Sequence, residues 1–173
     1  MEKLRFPIGR WVAPKEPEME QIQFWIKGIS DLPLSLQDLI KDLEAHQWAL
    51  QYRPGSWTVL QLVHHIVDSH INAYVRQKMA VTGPTPVVVP YMEEQWALLA
   101  DVNMETLADS MAILKGLHRR WTIFLNALSE NEIRTRGYFH QGEGRMILME
   151  EAIGMYYWHG EHHMAHIRLA LEK

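Results

Sequence analysis

The stretch 107–128, LADSMAILKGLHRRWTIFLNAL, carries the cleanest periodicity in the chain. Leu107, Met111, Leu114, His118, Trp121, Leu125 and Leu128 recur in alternating steps of four and three, which returns each side chain to one face of an α-helix. A stripe that continuous must pack along a helical partner, so a helix is expected from about Met104 to Leu128.

The partners lie on either side. Upstream, Thr58 and Gln61 have the spacing of a capping box, and Trp57 can staple onto Leu62, which starts a helix running to about Thr82. Gly83-Pro84-Thr85-Pro86 ends it, Val87 to Pro90 reads as an extended connection, and a short helix is expected around Met92 to Ala100. Nearer the N-terminus, a pattern from Met19 to about Ala45 places Ile22, Trp25, Ile26 and Ile29 on one face and Leu36, Leu39, Ile40 and Leu43 on a second. Pro33 should break or kink it. Downstream, a loop from about Asn131 to Arg145 holds Gly137, Gly142 and Gly144 and leads into a fourth helix, roughly 146–171. Residues 1–17, with Pro7, Gly9, Pro14 and Pro17, read as an extended arm lying on the domain. Four long helices with little strand signal predict an all-α four-helix bundle, residues 1–173 forming a single domain.

A chain of 173 residues suits one domain able to bury about two thirds of its unfolded surface. Hydrophobic residues make up 47% and charged residues 22%, with a net charge of −4, so a nucleic acid finds no basic surface to bind. No cysteine is present, which excludes disulfides, thiolate-ligated zinc, iron–sulfur clusters and a cysteine nucleophile. No apolar run reaches the ~18 residues of a membrane span, and the first nine residues, MEKLRFPIG, lack the apolar core of a signal peptide. A cytoplasmic location away from membranes is expected.

The fourth helix contains Trp158-His159-Gly160-Glu161-His162-His163-Met164-Ala165-His166. Its four histidines fall within about a third of the helix circumference, on the face that also carries Leu148, Ala152, Met155 and Ala170, and so point into the core. A buried imidazole without a partner costs about 1–3 kcal/mol, and a metal ion is the candidate that satisfies several at once. His159 with His163 and His162 with His166 are both i,i+4 pairs, and spacing does not choose between them. A further donor should come from a facing helix, where the second helix supplies His64, His65, Asp68 and His70. Amphipathicity favours His70, on the side of Val59, Val63, Ile66 and Tyr74, whereas His65 shares a polar stripe with Asp68, Ser69, Asn72 and Arg76.

Pro54-Gly55-Ser56-Trp57-Thr58, His64-His65-Ile66-Val67-Asp68-Ser69-His70, Leu117-His118-Arg119-Arg120-Trp121 and the run from Tyr157 to His166 together resemble the DinB superfamily. Within it they resemble the YfiT-like branch of metal-dependent hydrolases, which includes bacillithiol S-transferases. Phe6-Pro7-Ile8-Gly9 is similar to that branch as well, so the resemblance spans nearly the whole chain. It implies an up-down-down-up bundle, a homodimer, and a site for zinc or nickel made by His65, His162 and His166. In the 140–146 loop the family's Pro is replaced by Gln141, which leaves His140 without an assigned role.

Three neutral imidazoles leave a divalent ion with its full charge and an open position, the arrangement of a catalytic rather than a structural site. A water held there has its pKa lowered to about 7, and a thiol is held as the thiolate. Hydrolysis and S-transfer from bacillithiol to a small electrophile are both within reach of one site. The absence of a defined general base leans toward the thiol. The zincin pattern is missing, since Glu161 precedes His162 and lies about 100° round the helix, facing solvent. Asp68 is expected to orient an imidazole. His159 and His163 read as packing or supporting residues, and His118 as a satisfied core histidine, with a wall of the site pocket as its functional alternative; Arg76, Arg119 and Arg120 could hold the carboxylates of a thiol cofactor but read first as solvated charges. No residue is assigned as catalytic. The competing reading is a non-catalytic metal-binding or stress-associated bundle, its shell closed by a fourth protein ligand.

Overall fold

The periodic stretch forms α5 (Leu107–Asn126), which buries Leu114, His118, Trp121, Thr122 and Leu125, the stripe the 3–4 spacing marks. This computed structural model describes residues 2–172. Its other elements are α1 (Glu2–Arg5), α2 (Met19–Ile40), a 3-10 turn (Ala45–Ala49), α3 (Val59–Thr82), β1 (Val87–Val88), α4 (Glu93–Trp96), α6 (Glu130–Thr135), β2 (Gly137–His140), β3 (Arg145–Leu148) and α7 (Met149–Leu171).

Side-chain contacts give the helix directions. Along α2, Trp25, Gly28 and Leu32 meet Gly154, Tyr157 and Gly160 of α7 in the same order, so the two run parallel. Along α3, His64, His70 and Gln77 meet Ser110, His118 and Trp121 of α5, again in the same order. Between α3 and α7 the order reverses: His65 lies by His163, His70 by His159, and Arg76 by Tyr156. With α2 taken as up, the four long helices run up-down-down-up, as the resemblance implied. A short overhand hairpin cannot join α3 to α5 in this arrangement. The connection from residue 83 to 106 instead travels back along the bundle, carrying β1 and α4.

Thr58 caps α3 as its spacing predicts. Its hydroxyl accepts the Gln61 N–H, while the Gln61 side chain accepts the Thr58 N–H at 3.0 Å. Burial of Leu62, Val63, Ile66, Leu114 and Ile167 against one another builds one part of the core, and Trp25, Ile26, Trp121, Tyr138 and Ile153 another. Each such side chain is worth about 1.5–3 kcal/mol when taken out of water.

Three expectations are corrected. Pro33 does not break the first helix, since α2 continues through it to Ile40 with the proline ring buried. The carbonyl left without an i→i−4 donor, that of Ile29, accepts from His118 Nδ1 on α5. The segment 131–145 is not a plain loop. It forms α6 and the antiparallel β2–β3 hairpin, with β1 pairing parallel to β2 to make a three-stranded sheet. Gly137 is needed in that hairpin, because a Cβ there would run into the Ile147 carbonyl. The N-terminal arm opens with the one-turn α1, and Gly9, at φ 82°, turns its carbonyl toward Trp158 Nε1, 3.2 Å away. No helix among the described residues is long and apolar enough to cross a membrane.

Candidate metal centre

His65 on α3 faces two histidines of α7, and the two are His159 and His163. The three offer ligand atoms that all lie within 4.8 Å of one another. His65 Nε2 and His159 Nε2 are 3.2 Å apart, close to the roughly 3.3 Å that separates two nitrogens each about 2.0–2.1 Å from a tetrahedral ion. The pair His162 and His166 is placed elsewhere. His162 stacks between Trp158 and Phe6, and His166 stacks on Tyr52 with its Nε2 3.2 Å from the Arg5 carbonyl. Of the three residues the resemblance implied, the structure brings only His65 into the convergent set. The physical reason is rotational: the line Ala152, Tyr156, His159, His163, Ile167, Ala170 runs down the face of α7 turned to the bundle, while His162 and His166 lie one step round, under the arm.

Two hydrogen-bonded chains set the tautomers of the α7 pair. Protons are assigned here from the backbone carbonyl at each end, which can only accept. His118 Nδ1–H donates to the Ile29 carbonyl, so its Nε2 accepts from His70 Nδ1–H at 2.9 Å. His70 Nε2 then accepts from His159 Nδ1–H at 3.1 Å. On the other side, His166 Nε2–H donates to the Arg5 carbonyl, and His166 Nδ1 accepts from His163 Nδ1–H at 3.4 Å. Both chains leave the Nε2 lone pair free, on His159 and on His163. His65 can hold a proton on Nε2 and give it to His159, or carry that proton on Nδ1 and present a third lone pair.

Burial keeps this cluster neutral. It holds the His65 and His118 imidazoles down to about 4, and pushes His70, His159 and His163 well below the ordinary histidine value, the neighbouring imidazoles adding to the effect. Neutral imidazole is the form that ligates a metal. Trp57 covers His65 at 4.4 Å between ring centroids and donates its Nε1–H to Glu94. Three neutral imidazoles whose ligand atoms lie within 4.8 Å of one another fit a divalent transition-metal ion.

The remaining candidates have local partners. His64 is held by Ser110 Oγ at 2.9 Å and the Asn103 carbonyl at 3.1 Å. Asp68 hydrogen-bonds to no imidazole; its carboxyl is raised to about 6 by burial and by Asp101. His140, at the end of β2, accepts the Glu143 N–H at 3.2 Å. Two clefts reach the cluster. One, about 250 Å³, is lined by Tyr52, Trp57, Glu94 and His163. The other, about 340 Å³, is lined by Arg76, Tyr91, His140 and His159. Glu93 borders both, its carboxyl raised by burial and by Glu94.

Residues 33–167, which contain the three converging histidines and both tethering chains except Ile29 and Arg5, match the family model of the DinB superfamily. The chain belongs to the DinB superfamily. This DinB-superfamily chain is 41% identical over 167 residues to a protein of Halalkalibacterium halodurans named "Putative metal-dependent hydrolase", covering 96% of each. It is 43% identical over 168 residues to a Bacillus cereus protein of the same name, covering 96% of this chain and 95% of that one. Among solved structures it matches YfiT from Bacillus subtilis, described as "a probable metal-dependent hydrolase with an unusual four-helix bundle topology", at a TM-score of 0.93 and 37% identity, covering 98% of this chain and 97% of that one.

His159 and His163 were read from the sequence as packing or supporting residues, and they are the two that converge with His65. One signal was available for them. The line from Ala152 through Tyr156, His159, His163 and Ile167 to Ala170 is an unbroken 4–3–4–4–3 stripe, whereas the line through His162 and His166 leads to Met155, Trp158 and Leu169, which are less buried.

Proposed function

We propose that this chain is a metal-dependent hydrolase that holds one divalent ion, zinc or nickel, on His65, His159 and His163 and acts on a small molecule. One observation carries the reading: two separate hydrogen-bonded chains, each anchored on a backbone carbonyl, fix the tautomers of His159 and His163, while His159 Nε2 lies 3.2 Å from His65 Nε2 and all three rings offer ligand atoms within 4.8 Å of one another. A cluster that served only packing has no need of such an alignment. Among the described residues no carboxylate joins the three imidazoles, which supports an open position over a closed shell. When bound, the ion supplies Lewis acidity and brings the pKa of a water or thiol ligand down toward neutrality.

The chain's own groups have the following parts. His70, His118 and His166 hold the ligands in one tautomer and orientation. Glu93, the carboxylate common to both clefts, serves as general base, and burial together with Glu94 raises its pKa above the ordinary carboxylate value, which makes it the stronger base. Trp57 keeps water off the His65 ring.

Thiol S-transfer is the second reading, with bacillithiol as the thiol. It is favoured by the two clefts, which offer a thiol and an electrophile separate approaches to one centre. A homodimer accompanies both readings, on the strength of the family resemblance; sedimentation of the purified protein tests it.

The deciding experiment has two steps. Metal is assayed in protein purified without an affinity tag or added metal, and activated esters and amides are then offered with and without bacillithiol. About one zinc or nickel per chain and thiol-independent cleavage support hydrolysis. Turnover of an electrophile only with the thiol supports S-transfer. Metal without either activity supports the non-catalytic bundle, and no metal removes the reading altogether.

A further inference from the structure

Arg76 is a cation taken out of water without a counter-ion. It sits in the last third of α3 at 9% exposure. Two of its five N–H donors are used, one by the Val89 carbonyl at 3.2 Å and one by the Tyr156 hydroxyl at a weak 3.5 Å. Among the described residues no carboxylate pairs with it. Glu143, which shares its cavity, is held by Arg145 at 2.8 Å, and Glu93, on the same wall, forms no ion pair. A buried, unpaired guanidinium is strongly unfavourable, and proteins retain one where a ligand supplies the missing charge.

The surroundings say what kind of ligand. The cavity of about 340 Å³ has His159 on its wall, Met155, Tyr156 and Trp158 on its more apolar side, and Ser69, Tyr91 and His140 on its polar side with the two glutamates. Tyr91 Oη is buried beside Ser69 and makes no hydrogen bond of ordinary geometry. Arg76 and Tyr91 thus offer N–H and O–H donors that want an acceptor, in a chamber that is apolar on the side of Met155 and Trp158. The flanking carboxylates of Glu93 and Glu143 disfavour a dianion such as phosphate and leave room for one negative charge. Tyr156, which touches Arg76, is one helical turn from His159, about 4–5 Å of rise. An acceptor seated on Arg76 therefore leaves the other end of a small molecule at the histidine cluster.

We propose that this cavity is a carboxylate-binding subsite, in which Arg76 and Tyr91 hold the carboxylate of a small monoanionic molecule while its apolar body runs along Met155 and Trp158 toward His159. The inference deepens the reading of the histidine cluster as a reaction centre and rests on it for the meaning of that orientation. The binding itself does not depend on a metal.

The test compares 3-phenylpropionate with its neutral counterpart, 3-phenylpropionamide, by calorimetry on the protein as purified and after metal removal. The acid is expected to bind about tenfold or more tightly than the amide. Arg76→Gln should abolish that preference while leaving metal content unchanged, and Arg76→Lys should retain part of it. Tyr91→Phe should reduce it severalfold. Equal binding of acid and amide by the wild type, or an undiminished preference in Arg76→Gln, overturns the proposal. A preference that disappears on metal removal but survives Arg76→Gln assigns the carboxylate to the metal, which overturns the Arg76 site and upholds the metal reading. An Arg76-dependent preference in protein that holds no metal upholds the subsite and sinks the metal reading. Should Arg76→Gln fail to fold, the Tyr91→Phe and Arg76→Lys results decide.

Discussion

The Ile29 carbonyl, which Pro33 cannot bond within its own helix, accepts the Nδ1–H of His118. That single contact starts the chain through His70 to His159 and fixes which nitrogen of His159 faces the cluster. A proline inside α2 is therefore tied to the geometry of a candidate metal centre between α3 and α7.

His118→Phe keeps most of the side-chain volume but removes the donor to Ile29 and the acceptor for His70. Metal affinity should fall by about 10–100-fold, the usual effect of losing the group that orients a ligating imidazole. Competition with a chromophoric chelator measures it, and unchanged affinity in a folded variant would show that His159 needs no tether.

Replacing the converging histidines separates the two pairs on α7. His65→Ala, His159→Ala and His163→Ala should each abolish metal retention through gel filtration. His162→Ala should retain it, since that ring is packed between Trp158 and Phe6. His166→Ala should weaken binding without abolishing it, because it removes only the acceptor for His163 Nδ1–H. Retention by His163→Ala together with loss in His162→Ala would reverse the assignment.

Stability should depend on pH between about 6.5 and 4. Burial holds His65, His118 and His162 at about 4 in the fold, against 6.5 for an ordinary imidazole. The folded value lies below the unfolded one, so as pH falls the unfolded chain takes up protons first. The stabilisation is complete above about 6.5 and is lost as pH drops through the window toward 4. Urea midpoints of the metal-free protein should fall in order at about pH 7.5, 6 and 5. A flat profile would mean that these rings are charged in the fold or reach water.

Gly154→Ala probes the parallel contact of α2 and α7. A Cβ there would stand 2.6 Å from Trp11 and 2.8 Å from Trp25; the Trp25 indole is buried in the core and Trp11, on the N-terminal arm, is partly buried against it. Overpacking of this kind costs about 1–3 kcal/mol. Chemical denaturation should show the loss. Gly116→Ala, which meets nothing within 4 Å, should stabilise slightly through helix propensity.

The bundle was legible because helix-forming information is local and repetitive. The 107–128 stripe and the Thr58–Gln61 capping box each put a helix where the structure has one. The hairpin of β2 and β3 was not, since four-residue strands flanked by glycines carry too short a pattern to stand out from a loop. Pro33 was read by its local rule, and a donor from another helix overrode that rule.

For the site, the residue types and their helix were already present in the sequence: four histidines in eight positions of α7, and His65 among the donors of α3. The chemistry of a divalent ion on imidazole follows from those types alone. Which i,i+4 pair faces α3 could only be decided by the tertiary structure. A helix repeats every 3.6 residues, so neighbouring pairs differ by about 100° of rotation, and that rotation is set by packing: Gly154 and Gly160 against Trp25 and Leu32 on one side, the N-terminal arm over His162 and His166 on the other. That no carboxylate among the described residues pairs with Arg76 is likewise a fact of the folded chain, because burial and pairing are relations between residues far apart in sequence.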